Sequence, residues 1–290
     1  MSDPFPTCYL DGKFQPLAEA SISPLDRGFL FADGVYEVIP VHRRRPFQLR
    51  AHLDRLARGQ REIGLHATQS DRQWQELINR LIDEAGAEEL LVYLQVTRGA
   101  DSGRNHLFPK SLRPTVFAFA SPYPVPAAAV LDNGLACITL ADIRWSRCDI
   151  KSIALLPNVM LRQQAAARGG DEALLIRDGE VTEGSSSTVF VVTGEKLLTP
   201  PNSHRNLPGT SRDALLELAR GWLVSEIRAI RADELTDCEE VWIASAGRGV
   251  LPVTRIDGRP VGSGRPGARW REMYARLQRH LDELATTPAL

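Results

Sequence analysis

The sequence predicts an α/β (α+β) protein of two domains, each with an antiparallel or mixed sheet flanked by helices. Three observations carry this. The 290 residues suffice for two domains at roughly 150 residues each. The stretch Ser121 to Ala129, SPYPVPAAA, holds three prolines in nine residues and has neither a helical nor a strand period, which marks a linker. Strand-like runs also follow one another across turns too short for the helical crossover that a parallel sheet needs. The expected domains are 1–120, small and N-terminal, and 130–290, larger, with 121–129 between them.

In order along the chain, Tyr9-Leu10, the Asp11-Gly12 turn and Phe14 predict a hairpin. Val35 to Val41 predicts a strand, His42 to Pro46 a turn, and Phe47 to Leu49 an antiparallel return. Leu53, Leu56 and Ile63 give a helix over 52–63. Trp74, Leu77, Ile78, Leu81 and Ile82 recur at helical spacing and give a helix over 72–85. Leu90 to Val96 and Thr115 to Ala120 are apolar and β-branched, and bracket a polar loop from Gly99 to Arg113. Beyond the linker, strands are expected at 135–141, 173–177, 188–192, 241–244 and 253–256. Helices are expected at 158–168, 211–220 and 269–284.

Composition narrows the function. Thirty-five basic residues against thirty-six acidic give a net charge of -1, so no global field draws the chain to nucleic acid or to an anionic membrane. No apolar run approaches the ~18 residues that span a bilayer, and the first residues lack a signal-peptide pattern. Cys8, Cys137, Cys148 and Cys238 are scattered, without CxxC or zinc spacing, so no metal is expected and the thiols read as buried and free. The expectation is a cytoplasmic protein. Only four of the basic residues are lysines: Lys13, Lys110, Lys151 and Lys196.

Lys151 stands out, because apolar residues crowd it in CDIKSIALL. Desolvation favours the neutral amine, a nucleophile able to form a Schiff base with a carbonyl. A strand-end lysine that snorkels to water explains the same letters. VTEGSSSTVF places Glu183 before a run of hydroxyls, Ser185 to Ser187, that suits an anion or simply a serine turn. LPGTSRD sets Thr210 and Ser211 at a helix start, where unpaired N–H groups favour an anion, although a plain N-cap reads the same way. A lysine, a carboxylate and an anion cradle are together what a pyridoxal phosphate enzyme requires.

At this point the order of motifs resembles the fold-type-IV pyridoxal phosphate enzymes, the class IV aminotransferases. DRGFLFADGVYEV, HLDRL, QVTRG, RCDIKSIALL, VTEGSSSTVF and GTSRD all match in order, over nearly the whole chain. Within the family the wording is most similar to the D-amino acid (D-alanine) transaminases. The resemblance implies pyridoxal 5'-phosphate as cofactor, with Lys151 as Schiff-base lysine and proton shuttle. It further implies that Glu183 pairs with the pyridine nitrogen, Leu207 packs on the ring, and Arg55 binds the phosphate. Ser186, Ser187, Thr210, Ser211, Ser245 and Ala246 complete the phosphate cup. Tyr36 with Arg104 and His106 is implied to trap the substrate α-carboxylate, a pattern of the D-amino acid members and not of the branched-chain L-amino acid ones. A homodimer is also implied, as are small amino acid and 2-oxo acid substrates such as D-alanine and 2-oxoglutarate.

Two departures stand against this pattern. The Gly99 to Arg104 loop is one residue longer than in the D-amino acid enzymes, and Ala246 sits where a threonine hydroxyl is usual. Arg248 adds a charge there, expected to meet a second substrate carboxylate. The rival readings are a branched-chain L-amino acid or (R)-amine transaminase, a 4-amino-4-deoxychorismate lyase and, outside the family, a Ser/Lys hydrolase.

Overall fold

The computed structural model describes residues 3–66, 68–111 and 113–286. The outer ends of the two expected domains, 1–2 and 287–290, lie outside these. The chain forms two compact units. The first takes the described chain up to Pro124, the short segment Ile150–Ala154 and the last residues from Leu284. The second takes Val125–Asp149 and Leu155–Glu283. The expected linker is partly structured: a strand runs through Pro122 and a helix starts at Ala128.

The first unit is built on one antiparallel sheet of β1 (Thr7–Leu10), β2 (Lys13–Pro16), β3 (Gly34–His42), β4 (Arg45–Pro46), β5 (Leu90–Thr97) and β6 (Thr115–Pro122), in the order β2-β1-β6-β5-β3-β4. Helices α1 (Arg27–Phe31), α2 (Leu49–Glu62) and α3 (Asp71–Ala85) accompany it. Alternation along β5 explains the layering. Leu90, Val92, Leu94 and Val96 face a core with Trp74, Leu77, Ile78 and Leu81 of α3, while Leu91, Tyr93 and Gln95 lie on the other face. α3 opens with the Ser70/Gln73 capping box and ends on left-handed Gly86, so both its ends are specified locally.

The expected return strand at 47–49 does not form. Arg45 and Pro46 make that pairing instead, and Gln48 turns to a positive φ of 54°, which stops the extended chain and lets Leu49 open α2. The 150–154 segment joins this unit at the N-terminal end of β3. Ser152 bridges to Val35, Tyr36 N–H donates to the Lys151 carbonyl at 3.0 Å, and Ile153 N–H donates to the Gly34 carbonyl at 3.1 Å. β4 is too short to occupy that part of the β3 edge, so Lys151 enters as an added strand-like stretch.

The second unit has a mixed sheet with β7 (Leu135–Ala141), β8 (Glu172–Arg177), β9 (Glu180–Gly184), β10 (Thr188–Thr193), β11 (Lys196–Thr199), β12 (Val224–Ile227), β13 (Glu240–Ser245), β14 (Gly249–Ile256) and the short β15 (Arg259–Pro260). Its helices are α4 (Ala128–Asn133), α5 (Leu156–Ala167), α6 (Thr210–Ala219), α7 (Glu234–Asp237) and α8 (Ala268–Thr286). The strand order is β12-β11-β10-β13-β14-β7-β8-β9, with β15 on β14. Parallel pairs occur where a helix intervenes, as with α5 between β7 and β8 and α6 between β11 and β12; the hairpins are antiparallel. Thr188 pairs with Ala244, which sets the start of β10 beside the Ser245 end of β13. No helix among the described residues is long and apolar enough to cross a membrane, and no group of metal-ligating side chains occurs among them.

Candidate active site

The expected site residues fall into two sets, one in each unit. In the first unit, Lys151 is half-buried and its Nζ lies 4.1 Å from the centre of the Tyr36 ring. A cation over a π-face is attracted to it, which holds the amine in place on this side of the sheet. Tyr36 stacks on Tyr93, with ring centres 5.7 Å apart, and Tyr93 O–H donates to Gln95 Oε1 at 2.6 Å. Burial, and then the neighbouring Tyr36, push the Tyr93 phenol far above the ordinary tyrosine range, so it stays a neutral donor.

Strand alternation sends the next residue, Glu37, to the opposite face, among the apolar core. A buried carboxylate there needs partners, and α2 supplies two from one helical face, three residues apart. Arg55 Nε and Nη2 donate to the two Glu37 oxygens at 2.7 and 2.8 Å, a fork-to-fork pair. His52 Nδ1 donates to Glu37 Oε2 at 2.7 Å, the carboxylate being able only to accept. Burial opposes ionisation of Glu37, but Arg55 and His52 outweigh it and hold the carboxyl below its usual range. Burial keeps the His52 imidazole neutral, aided by the charges of Arg55 and Lys151 and against the pull of Glu37. The plane of the Arg55 guanidinium is thereby fixed.

That neutral imidazole predicts a pH dependence of stability. The folded pKa of His52 lies below the unfolded value of about 6.5, so the unfolded chain takes up a proton first. Stability should fall as pH drops through 6.5 towards the lower folded pKa. The urea midpoint of the wild type is expected to decline from pH 7 to pH 5 more than that of His52→Gln. Comparing the two slopes isolates this group from others that titrate nearby, and equal slopes would refute the assignment.

The polar loop carries the other first-unit residues. Arg104 and His106 are exposed, and both lie against Phe31, with the guanidinium carbon 5.0 Å and the imidazole centre 5.2 Å from the phenyl centre. One ring therefore brings the two together.

In the second unit, Glu183 is buried one residue before the end of β9. It accepts from Arg144 Nη1 and, at 3.1 Å, from the Leu207 backbone N–H. Leu207 therefore anchors the carboxylate through its main chain, a role its apolar side chain does not announce. Arg144 is in turn clamped by Asp142, with Nε and Nη2 at 2.9 and 2.8 Å from its oxygens, and Asp142 also takes Arg177 Nη2 and the Thr182 hydroxyl. Burial raises the proton affinity of Glu183, Arg144 and the Leu207 N–H lower it, and the Asp142 charge adds to the rise; the carboxyl ends above its ordinary range.

The serine turn is organised by a residue absent from the expected set. Glu172 is fully buried at the start of β8, and the hydroxyls of Ser185, Ser186 and Ser187 all donate to it, the latter two at 3.2 and 3.4 Å. These hydroxyls are thus committed as donors to a buried carboxylate. Arg248 Nη1 also reaches Glu172 Oε2, at 3.4 Å. Its charge therefore has an internal partner as well as an exposed part.

The donors suit a phosphate at the start of α6. The N-cap of this helix is Gly209, which has no side chain to cap it. A Cβ on Gly209 would lie 2.8 Å from the side-chain Oγ1 of Thr188, so glycine leaves room for that hydroxyl beside the helix start. Thr210 and Ser211 follow, and the buried Nε of Arg212 in the same turn has no hydrogen-bond partner among the described residues. An unmet cationic donor at a helix start is what an anion completes. The β10–β13 register brings Ser245 and Ala246 to the same sheet end as Ser187 and Thr188. Within the second unit, a buried carboxylate suited to a ring nitrogen and donors suited to a phosphate match the ring and phosphate of pyridoxal 5'-phosphate, while the first unit by itself offers the Lys151 amine.

Sequence reasoning passed over Glu37, His52, Asp142, Arg144 and Glu172. Glu37 and His52 had a legible signal, since Glu37 directly follows Tyr36 and His52 shares a helix face with Arg55. Arg144 and Glu172 find partners 39 and 13 residues away, and no local pattern shows that.

Comparison with known proteins gives a consistent result. The model of the amino-transferase class IV family matches residues 34–256. A D-alanine aminotransferase of Bacillus licheniformis is 39% identical over 279 residues, covering 96% of this chain and 98% of the relative. One from Staphylococcus aureus (strain MSSA476) is 34% identical over 276 residues, covering 94% and 97%. Among solved structures, a T.th. branched-chain amino acid aminotransferase with pyridoxamine 5'-phosphate superposes with a TM-score of 0.89 at 23% identity, over 96% of this chain and 94% of that one. The last of these likenesses is one of fold.

Proposed function

The chain belongs to the class IV aminotransferases, enzymes that use pyridoxal 5'-phosphate, and from that premise we propose that it moves an amino group from a D-amino acid such as D-alanine to a 2-oxo acid such as 2-oxoglutarate. The observation that carries the choice of substrate is the pairing of Arg104 and His106 on the single Phe31 ring. A guanidinium fork and an imidazole side by side suit an α-carboxylate. The two D-alanine aminotransferases, similar over nearly their whole length, support the same reading.

The cofactor, when bound, supplies a carbonyl to which an amine can condense and a ring that accepts an electron pair. In this reading Lys151 provides the amine that holds the cofactor and then carries a proton to and from the substrate α-carbon. Glu183, fixed by Arg144 and Leu207, holds a proton at the ring nitrogen. Arg55, fixed by Glu37, binds the phosphate with the N–H groups of Ser186, Ser187, Thr210, Ser211, Ser245 and Ala246. Leu207 lies on the ring, and Tyr36 with Arg104 and His106 takes the carboxylate.

A homodimer belongs to the same proposal. Exposed apolar side chains occur in both units, Phe29 and Leu107 in the first and Leu156 and Val159 in the second, and such surface favours association. A cytoplasmic setting is supported by four free, buried cysteines.

The test is an assay of D-alanine with 2-oxoglutarate, set against L-leucine, an (R)-amine and 4-amino-4-deoxychorismate. D-alanine is expected to give the highest kcat/KM. A preference for L-leucine, or elimination of pyruvate without amino transfer, would overturn the proposal and support one of its rivals.

A further inference from the structure

Arg27 is nearly fully buried, at 3% exposure, in the short helix α1. Its Nε donates to Asp33 Oδ2 at 2.9 Å, and its terminal nitrogens donate to three successive loop carbonyls: Nη1 to Asn105 and Leu107, the latter at 3.3 Å, and Nη2 to His106 at 3.3 Å. The guanidinium carbon also sits 4.9 Å from the centre of Phe31, the ring that Arg104 and His106 share.

A second buried arginine reinforces this node. Arg98 Nε donates to the same Asp33 oxygen at 2.7 Å, its Nη2 donates to the Ile63 carbonyl at 2.6 Å, and its guanidinium lies 3.6 Å from the centre of Phe108, the residue that follows Leu107. Asp26 ties the two ends of the loop to α1. Its carboxylate accepts from Gly28 N–H and from the hydroxyls of Thr97 and Thr115, and Arg27 N–H donates to the Gly99 carbonyl.

Asp33 takes both guanidinium groups and Asp101 Oδ2 comes only to 4.0 Å from Arg27 Nη1, so the carbonyls of 105–107 are the closer acceptors for the terminal nitrogens of Arg27. If those carbonyls withdrew, Arg27 would keep its burial and lose three acceptors, which is costly for a charged group. The loop is therefore held down by a charge beneath it. Leu107 and Phe108 are exposed, so apolar burial does not hold it.

We propose that Arg27 is a positioning residue for substrate carboxylate recognition: by fixing the carbonyls of Asn105, His106 and Leu107 it sets where Arg104 and His106 present their donors. This rests on the carboxylate role given to that pair above. Lysine at position 27 would keep the charge but not the planar fork, and could not serve Asp33 and three carbonyls at once.

The experiment compares the holoenzyme and its Arg27→Lys and Arg104→Ala variants. The readouts are KM and kcat for D-alanine, the inhibition constant of propionate as a bare carboxylate probe, and amide hydrogen exchange of 102–111 with α2 and α3 as internal controls. Arg27→Lys is expected to raise the D-alanine KM and the propionate constant together, by about tenfold or more, as a displaced contact does, with kcat within about twofold. Exchange should speed up in 102–111 and stay unchanged in α2 and α3. Unchanged exchange in the loop, or faster exchange with an unchanged KM, would overturn the proposal. Arg104→Ala separates the layers of the argument. If it leaves the D-alanine KM at the wild-type value, the carboxylate role itself fails and that of Arg27 with it. If it raises KM and Arg27→Lys does not, only the positioning role fails.

Discussion

Replacing Lys151 with alanine or arginine should abolish transamination while leaving the fold intact. The side chain is half-buried and touches the Tyr36 ring, but the segment is held by main-chain bonds: Tyr36 N–H to the Lys151 carbonyl, Ile153 N–H to the Gly34 carbonyl, and the Ser152–Val35 bridge. None of these involves the side chain. Loss of the proton-transfer role alone predicts a fall of about 10²–10⁴-fold in kcat, and loss of the covalent hold on the cofactor adds to it. Arginine keeps the positive charge and the contact with Tyr36, yet a guanidinium is neither a nucleophile nor a base near neutral pH. The measurement is the visible spectrum and borohydride labelling of wild type, Lys151→Ala and Lys151→Arg, alongside turnover. Wild-type label should map to Lys151 and vanish in both variants, with circular dichroism unchanged. Substantial turnover in Lys151→Arg would sink the assignment, because charge alone would then suffice.

Much of this region was legible in the sequence, for a physical reason. The chemistry of Lys151 depends on residue type, and only an amine can condense with a carbonyl, so the lysine among apolar neighbours announces itself. The long amphipathic helix α3 was equally plain, because its period, its capping box and its terminal glycine are all local signals. What stayed hidden depends on tertiary contact. Nothing in CDIKSIALL says that the stretch will add to the edge of β3. That outcome follows from the shortness of β4, which in turn follows from the left-handed turn at Gln48, where the residue types favour an extended return. The serine run shows a different failure. Its letters suggested donors for a ligand, but the hydroxyls point at Glu172, and only the sheet register brings that carboxylate beneath them. Arg55 combines both cases. Its place in HLDRL was readable, whereas the fork to Glu37 that fixes it required the strand's inward face and the helix to meet.

Glu183 shows how such hidden partners control the chemistry, and it yields the second large effect. Glu183→Gln should retain cofactor attachment at Lys151 but turn over about 10²–10³-fold more slowly, the usual loss when one preorganised electrostatic group is removed from a buried site. The amide is nearly isosteric and can still accept from the Leu207 N–H, so the local main chain should keep its position. What it cannot do is carry the negative charge that holds a proton at the ring nitrogen. Arg144 remains clamped by both oxygens of Asp142, so the substitution does not strand a buried cation. Burial favours the protonated carboxyl, Arg144 and the Leu207 N–H favour the ionised one, and the net result lies above the ordinary carboxyl range. Arg144→Gln should disturb that balance from the other side. With its strongest opposing charge gone, the carboxyl would bind its own proton more tightly and give up its hold on the ring nitrogen, so this variant is also expected to slow turnover with attachment preserved. Absorption spectra and borohydride labelling report attachment, and single-turnover kinetics with D-alanine report the chemistry. A loss of attachment that tracks the loss of rate in both variants would show that these groups serve binding, not proton placement. Full activity in Glu183→Gln would remove Glu183 from the reaction altogether.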